Sequence, residues 1–306
     1  MLSYLNELTL RLAAGMQNVD PSLRKLHATW LLQQQRLDGG FAGREGESDP
    51  YYTAFALRSL LILDALTEEV ANDAAEFLRT RLTRREGIVD LISLIFGAAI
   101  CEMAGGAQVI QDGQTQWVDN LVQLLRSLRT DDGGFAKSPE GRAGSTYQTF
   151  LSTLCLELIG RQPDDPDQVI AFLQSQQHPD GGFLEIRVAK RAGVNPTAAA
   201  IGTLKTLGQL EVAQHHATVD FLAEMQSDEG GFTANTRIPF ADLLSTCTGM
   251  ITLHDLNAAE QVDGAALRRY AESMQQPNGG FAGFYMDQTA DVEYTFYGLA
   301  TLALTH

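Results

Sequence analysis

The sequence predicts an all-α protein, an α6/α6 barrel (toroid) of six helix–turn–helix repeats with one extra N-terminal helix. Three observations carry this. The tripeptide Gly-Gly-Phe recurs at near-constant spacing. The stretch before each copy is amphipathic with a helical period, and the stretch after it is apolar nearly all round. A fixed period of this size marks a repeat architecture, in which each unit buries its apolar face against its neighbours.

The five copies are Gly39-Gly40-Phe41, Gly133-Gly134-Phe135, Gly181-Gly182-Phe183, Gly230-Gly231-Phe232 and Gly279-Gly280-Phe281. Their spacings are 94, 48, 49 and 49 residues. The first gap is twice the period, so a degenerate copy is expected at Glu86-Gly87-Ile88. Six units then cover residues 21–66, 67–108, 109–161, 162–210, 211–257 and 258–306, within a single domain spanning 1–306.

Each unit opens with an outer helix that ends in Gln-rich stretches such as Trp30–Gln35 or Phe172–Gln177. Asp38, Asp132, Asp180, Glu229 or Asn278 then precedes the two glycines, which supply the positive-φ positions that end a helix and turn the chain. The inner helix starts at an acceptor followed by a helix former. Asp49-Pro50 and Asn195-Pro196 pair a cap with Pro at the first helical position. Asp90, Asp242, Asp291 and either Ser145 or Thr146 occupy the matching places. The inner helices follow as Ala54–Leu66, Leu91–Ala99, Phe150–Ile159, Ala198–Leu207, Leu243–Leu253 and Tyr294–Leu304. An extra helix at Tyr4–Gly15 is expected to pack over the seam between the first and last units.

The 306-residue chain is 44% hydrophobic and 20% charged, enough to bury a sizeable core. A net charge of −16 repels phosphate backbones, so no nucleic-acid partner is expected. Cys101, Cys155 and Cys247 each sit in apolar sequence, and an odd count without CxxC reads as buried thiols in a reducing compartment. No apolar run approaches the length of about 18 residues that a membrane span needs. The opening residues lack a basic stretch and an apolar core, so no signal peptide and a cytoplasmic location are expected.

The pattern Gly-Gly-Phe-x-Gly, a polar loop, then Asp-x-x-Tyr-Thr-x-x-(Ala/Gly)-Leu-x-(Ser/Thr)-Leu resembles the repeat shared by protein prenyltransferase β-subunits and squalene/terpene cyclases. Its best copies are Gly39–Leu60 and Gly279–Leu302, and the likeness runs from about residue 21 to the end. Open solenoids of the HEAT or TPR kind lack this turn. Toroidal glycosidases are set aside because their repeats are less alike and their chains usually longer.

The resemblance implies inner helices that all run one way, with N-termini converging at one end of a central cavity. That end would favour an anion such as a diphosphate, and the apolar remainder an isoprenoid tail. An isoprenoid diphosphate or another apolar small molecule is the implied ligand, and a helical partner subunit is also implied. Candidate substrate-binding residues are Arg237, Arg191 and Arg142, with Arg187 and Lys190 nearby, and the aromatics Tyr52, Tyr294 and Tyr285. Tyr51, Tyr147 and Phe296 are further cavity candidates. For each of these, core packing or a solvated loop is the competing account.

Protein prenyltransferases hold zinc with Asp, Cys and His. Here Asp242 matches, but Leu244 replaces the Cys and Tyr294 replaces the His. Leucine cannot bind a metal, so zinc is not expected. No metal site and no resident cofactor are expected, and Mg²⁺ enters only as the counterion of a diphosphate. The Asp-x-Asp-Asp acid of class II terpene cyclases is also missing. Asp164-Asp165-Pro166-Asp167 lies at an outer-helix start, where capping explains it. Such cyclases normally use two barrels, and this chain has length for one. What remains is a set of carboxylates at the inner-helix starts, Asp49, Asp90, Asp242 and Asp291, with Glu293 adjacent. They either cap helices or form an acid cluster, and Asp242 and Asp291 are the catalytic candidates. The expected function is isoprenoid binding with zinc-independent prenyl transfer or cyclisation. The alternative is a non-catalytic lipid-binding or protein-interaction scaffold that keeps the toroid.

Overall fold

The computed structural model describes residues 2–82, 87–110 and 115–305. Thirteen α-helices are present among them: α1 (Tyr4–Met16), α2 (Pro21–Leu32), α3 (Pro50–Ile62), α4 (Glu68–Arg81), α5 (Ile88–Met103), α6 (Thr115–Ser127), α7 (Thr146–Leu158), α8 (Pro166–Gln176), α9 (Val194–Thr206), α10 (His216–Glu224), α11 (Leu243–Asp255), α12 (Gly264–Ser273) and α13 (Val292–Leu304). Among the described residues, extended pairing is limited to isolated bridges within the loops. No helix among the described residues is long and apolar enough to cross a membrane.

The chain divides into two compact units. Unit one comprises Met1–Leu5 and Val118–Tyr270, and unit two Asn6–Trp117 and Ala271–His306. Unit one sets the inner helices α7, α9 and α11 side by side. Unit two does the same with α13, α3 and α5. The inner helices are buried on most sides: α5 is buried continuously from Leu91 to Ala98. The outer α4 buries only Ala71, Ala74, Ala75, Phe77 and Leu78, as expected of a one-sided helix.

One hydrogen-bonded relay repeats through the fold. The buried backbone N–H of each Gly-Gly-Phe phenylalanine needs an acceptor. A threonine one turn into the next inner helix supplies it: Thr53, Thr149, Thr197, Thr246 and Thr295 accept from Phe41, Phe135, Phe183, Phe232 and Phe281 at 2.9–3.1 Å. Each hydroxyl then donates to the carbonyl of its helix N-cap at 2.6–2.7 Å. The N-cap N–H closes the loop by donating to the phenylalanine carbonyl at 3.0–3.3 Å. Four of these rings, Phe41, Phe183, Phe232 and Phe281, are fully buried, each worth about 1.5–3 kcal/mol.

The glycines dock each turn onto the following outer helix. The first glycine of each pair has φ between 84° and 100°. The second lies against an aromatic ring: Gly40 on Phe77, Gly134 on Phe172, Gly182 on Phe221, Gly231 on Tyr270 and Gly280 on Trp30. The last pairing is decisive for the architecture. A Cβ on Gly280 would fall 2.8 Å from the Trp30 ring, so the sixth repeat docks on the outer helix of the first.

Two local expectations change. Asn195 is not an N-cap: Gly193 caps α9, Pro196 lies within its first turn, and the Asn195 side chain accepts the Thr248 hydroxyl at 2.7 Å. Asp90 lies inside α5, whose N-cap is Gly87 without a side-chain bond. The degenerate copy keeps Gly87 and Ile88 at the start of α5, while its Glu86 lies outside the described residues. The N-terminal helix forms as α1, and Gly15 lies against the Ala303 carbonyl of α13. Its first residue, Tyr4, reaches the C-terminal ends of α7, α9 and α11.

Thr295→Val preserves shape but leaves the Phe281 N–H buried without an acceptor. It should cost about 1–3 kcal/mol, read from the urea midpoint; an unchanged midpoint would remove the relay from the account of stability.

Candidate functional site

The inner helices of unit two bring their first turns together. Asp49 caps α3 through the Tyr52 N–H at 2.8 Å, and Asp291 caps α13 through the Tyr294 N–H at 2.8 Å. Capping fixes where the next residues emerge. Tyr51 and Glu293 therefore face each other across the α3–α13 contact, and the Tyr51 hydroxyl donates to Glu293 Oε1 at 2.7 Å. One turn further on, the Tyr297 hydroxyl donates to the same oxygen at 3.2 Å.

An aromatic wall surrounds this carboxyl. Tyr51 meets Tyr52 and Phe55 edge-on at 5.3 and 4.9 Å. Phe55 meets Phe296 and Tyr297 at 5.4 and 5.5 Å. Arg58 lies over Phe296 at 4.0 Å and over Phe96 at 5.4 Å, so the wall already holds one cation against its π-faces. Tyr52 and Tyr294 rest their rings on Gly43 and Gly283 of the loops.

Burial raises the pKa of Glu293, and the charge of Asp291 adds to it, against the lowering effect of the two tyrosine hydroxyls. Burial also raises Asp291, opposed by the Tyr294 N–H and by Arg44, whose Nε lies 3.2 Å away. Arg44 pairs with Asp287 as well and sits 5.9 Å from the Tyr294 ring centre. Asp49 and Asp90 are raised by burial too, Asp49 with a further push from the charge of Asp90. The end of unit two that was expected to attract an anion is thus rich in carboxyls.

In unit one, Asp242 caps α11 through the Ser245 N–H at 2.7 Å and accepts the Ser245 hydroxyl at 2.8 Å. Burial raises its pKa. The zinc pattern does not fit these residues. Leu244 offers no donor, Cys247 is buried, and Tyr294 stacks on Gly283. Among the described residues no three His, Cys, Asp or Glu side chains group to hold a metal ion. Asp165 caps α8 and Asp164 pairs with Arg126, so this acidic run belongs to the outer layer.

Arg142, Arg191 and Arg237 are exposed, and Arg191 donates to the Thr236 hydroxyl at 3.3 Å. Tyr285 is 51% exposed. Tyr52 and Tyr294 are half-buried beside the acid cluster, as is Glu293. Sequence reasoning missed Arg44, Phe55, Arg58 and Tyr297. The i, i+4 spacings of Tyr51 with Phe55 and Glu293 with Tyr297 were the available signal, since such pairs share a helix face.

A raised pKa means that the folded chain keeps the Glu293 proton where the unfolded chain, at about 4.3, releases it. Stability from this site is intact below that value and falls as pH rises through the folded one. Glu293→Gln should therefore match the parent at about pH 4 and melt higher at about pH 8. A melting difference that does not change with pH would refute the assignment.

No curated protein matches the chain. A variant of the type II terpene cyclase MstE from Scytonema, in complex with geranylgeranyl dihydroxybenzoate as substrate, is 14% identical, covering 98% of this chain and 99% of its own, with a TM-score of 0.64. Candida albicans protein geranylgeranyltransferase-I complexed with GGPP is 16% identical over 97% of this chain and 84% of its own, with a TM-score of 0.52. A glycosidase is 12% identical over 97% of both chains, with a TM-score of 0.56. At these identities the likeness is one of fold. It also corrects two length arguments, because a type II terpene cyclase and a glycosidase both match at this chain's own length. The model of the prenyltransferase alpha-alpha toroid domain matches residues 3–162 and again residues 145–306. Matched along almost its whole length, the chain belongs to the prenyltransferase alpha-alpha toroid family.

Proposed function

We propose that this protein binds an isoprenoid chain and cyclises it by protonation, with Glu293 as the acid. The observation that carries the reading is a half-buried carboxyl, Glu293, set in an aromatic wall and held by two tyrosine hydroxyls. Asp49, Asp242 and Asp291 are each engaged in capping their own helix. Glu293 is not, so its proton is available for chemistry.

The reaction balances without an added reagent. The Glu293 O–H bond breaks as the electron pair of a trisubstituted alkene takes the proton. A tertiary carbocation forms, and the next double bond attacks it to close a ring. Loss of a proton at the end discharges the cation, so product and substrate are isomers, and solvent reprotonates the carboxylate. Tyr51 and Tyr297 would stabilise the charge that develops on Oε1, and aromatic faces would stabilise the carbocation. The carboxyl-rich surroundings favour a chain that arrives uncharged at this end over one that presents a diphosphate there. The terpene cyclase neighbour, whose substrate is a geranylgeranyl dihydroxybenzoate, supports the reading as an analogy of fold.

Incubation with geranylgeranyl dihydroxybenzoate, and separately with geranylgeranyl diphosphate, should yield a product of unchanged mass with fewer double bonds by NMR. Glu293→Gln should lower the rate by at least about a hundredfold while leaving binding near the parent value. Full turnover in that variant would remove Glu293 from the chemistry. Binding without turnover by the parent protein would favour a lipid-binding scaffold.

A further inference from the structure

We propose that three loops of unit one, leading into α7, α9 and α11, form a basic and apolar face that docks on an anionic lipid bilayer. The loops span residues 136–145, 184–193 and 233–242. Together they hold six of the chain's 22 Lys and Arg but only three of its 38 Asp and Glu. Lys137, Arg142, Arg187, Lys190, Arg191 and Arg237 are all exposed. Among the described residues none of the six forms an ion pair. Of the three acids only Glu140 is exposed; Glu185 takes the Ser145 hydroxyl and Asp242 caps α11, both half-buried. The acids nearest in sequence, Asp131, Asp132, Asp180, Asp228 and Glu229, belong to the Gly-Gly turns, which rest on the outer helices α8, α10 and α12. A basic face on a chain of net charge −16 selects an anionic partner.

Hydrogen bonds knit the loops into one face. The Thr146 N–H at the start of α7 donates to the Glu185 carbonyl at 2.9 Å, and its hydroxyl to the Leu184 carbonyl at 2.6 Å. The Val194 N–H at the start of α9 donates to the Ala234 carbonyl at 3.0 Å, and Arg191 donates to the Thr236 hydroxyl at 3.3 Å. Within the middle loop the Ala189 N–H donates to the Ile186 carbonyl at 2.9 Å, a tight turn with Arg187 and Val188 at its tip. The matching turn of the last loop, Ile238 N–H to Asn235 carbonyl at 3.1 Å, carries Arg237 at its tip. Apolar side chains stand among the cations: Val188 is 82% exposed, Ile186 38% and Tyr147 39%. An acidic polypeptide would match the charges but offer these side chains no apolar layer. A bilayer surface offers both at adjacent depths, anionic headgroups for the cations and hydrocarbon for the apolar tips. At physiological salt the Debye length is about 8 Å, so charges farther away on the acidic chain are screened from the headgroups.

The test is co-sedimentation of the full chain with vesicles of phosphatidylcholine, alone or with about 30% phosphatidylserine. Binding should require phosphatidylserine and weaken as salt rises from about 0.1 M to about 0.5 M. Arg187→Glu combined with Lys190→Glu should lower the partition at least about tenfold. Val188→Ser should lower it about threefold and leave the salt dependence in place. Arg161→Glu, an exposed change just beyond the C-terminal end of α7, should leave it at the parent value. Arg237→Glu carries the test if the double variant does not fold. Failure of the parent to bind the anionic vesicles, or equal binding by the glutamate variants of the loops, would overturn the proposal. So would capture of polyglutamate in place of vesicles, which would mark an acidic protein as the partner. Vesicle binding is read without turnover, so its outcome is separate from that of the isoprenoid reading.

Discussion

The backbone N–H of the Gly-Gly-Phe phenylalanine, satisfied by a threonine hydroxyl of the next helix, is the constraint on which the rest of the structure depends. It ties together three things that must agree in space: the turn, the N-cap of the inner helix and that helix's first turn. The hydroxyl serves as acceptor and donor at once, so neither buried backbone group is left unpaired. The paired glycines add a second constraint, since only residues without a Cβ allow the turn to rest on the aromatic ring of the following outer helix. Within unit two the same contact sets Gly280 of the last repeat on Trp30 of the first.

The same geometry decides which carboxyls are available for chemistry. An N-cap side chain turns back to its own helix, and Asp49, Asp242 and Asp291 do so. A residue two places on points away from the cap. Glu293 occupies that place in α13, and the first turn of α3 presents Tyr51 to it. Half-buried among rings, the carboxyl loses part of its hydration and holds its proton more tightly. The aromatic wall that desolvates it is also the surface best suited to a developing carbocation.

Regularity ends at the N-terminal segment. Nothing in the period requires Glu157, Lys205 and Asp255 to meet, and each would be costly to bury alone. They are tolerable because Lys205 pairs with Asp255 and Tyr4 supplies an N–H to one carboxylate and a hydroxyl to the other. A residue from outside the repeats thus completes a charge cluster made within them.

The sequence by itself determined the all-helical repeat, the capped inner helices at Asp49, Asp242 and Asp291, and the loss of the zinc pattern at Leu244 and Tyr294. These are local properties, readable from period, turn chemistry and residue type. It misplaced Asn195 and Asp90 as caps because an acceptor beside a helix start does not show which residue takes the extended conformation; Gly193 and Gly87 do so. Tertiary structure alone decided that the loop arginines stay in solvent, that Glu293 meets Tyr51 across 242 residues of chain, and that Tyr4 lies at the ends of α7, α9 and α11. Those outcomes depend on which side chains share a face after helices distant in sequence have packed. A repeat period fixes where each helix begins, and packing fixes what its side chains find there.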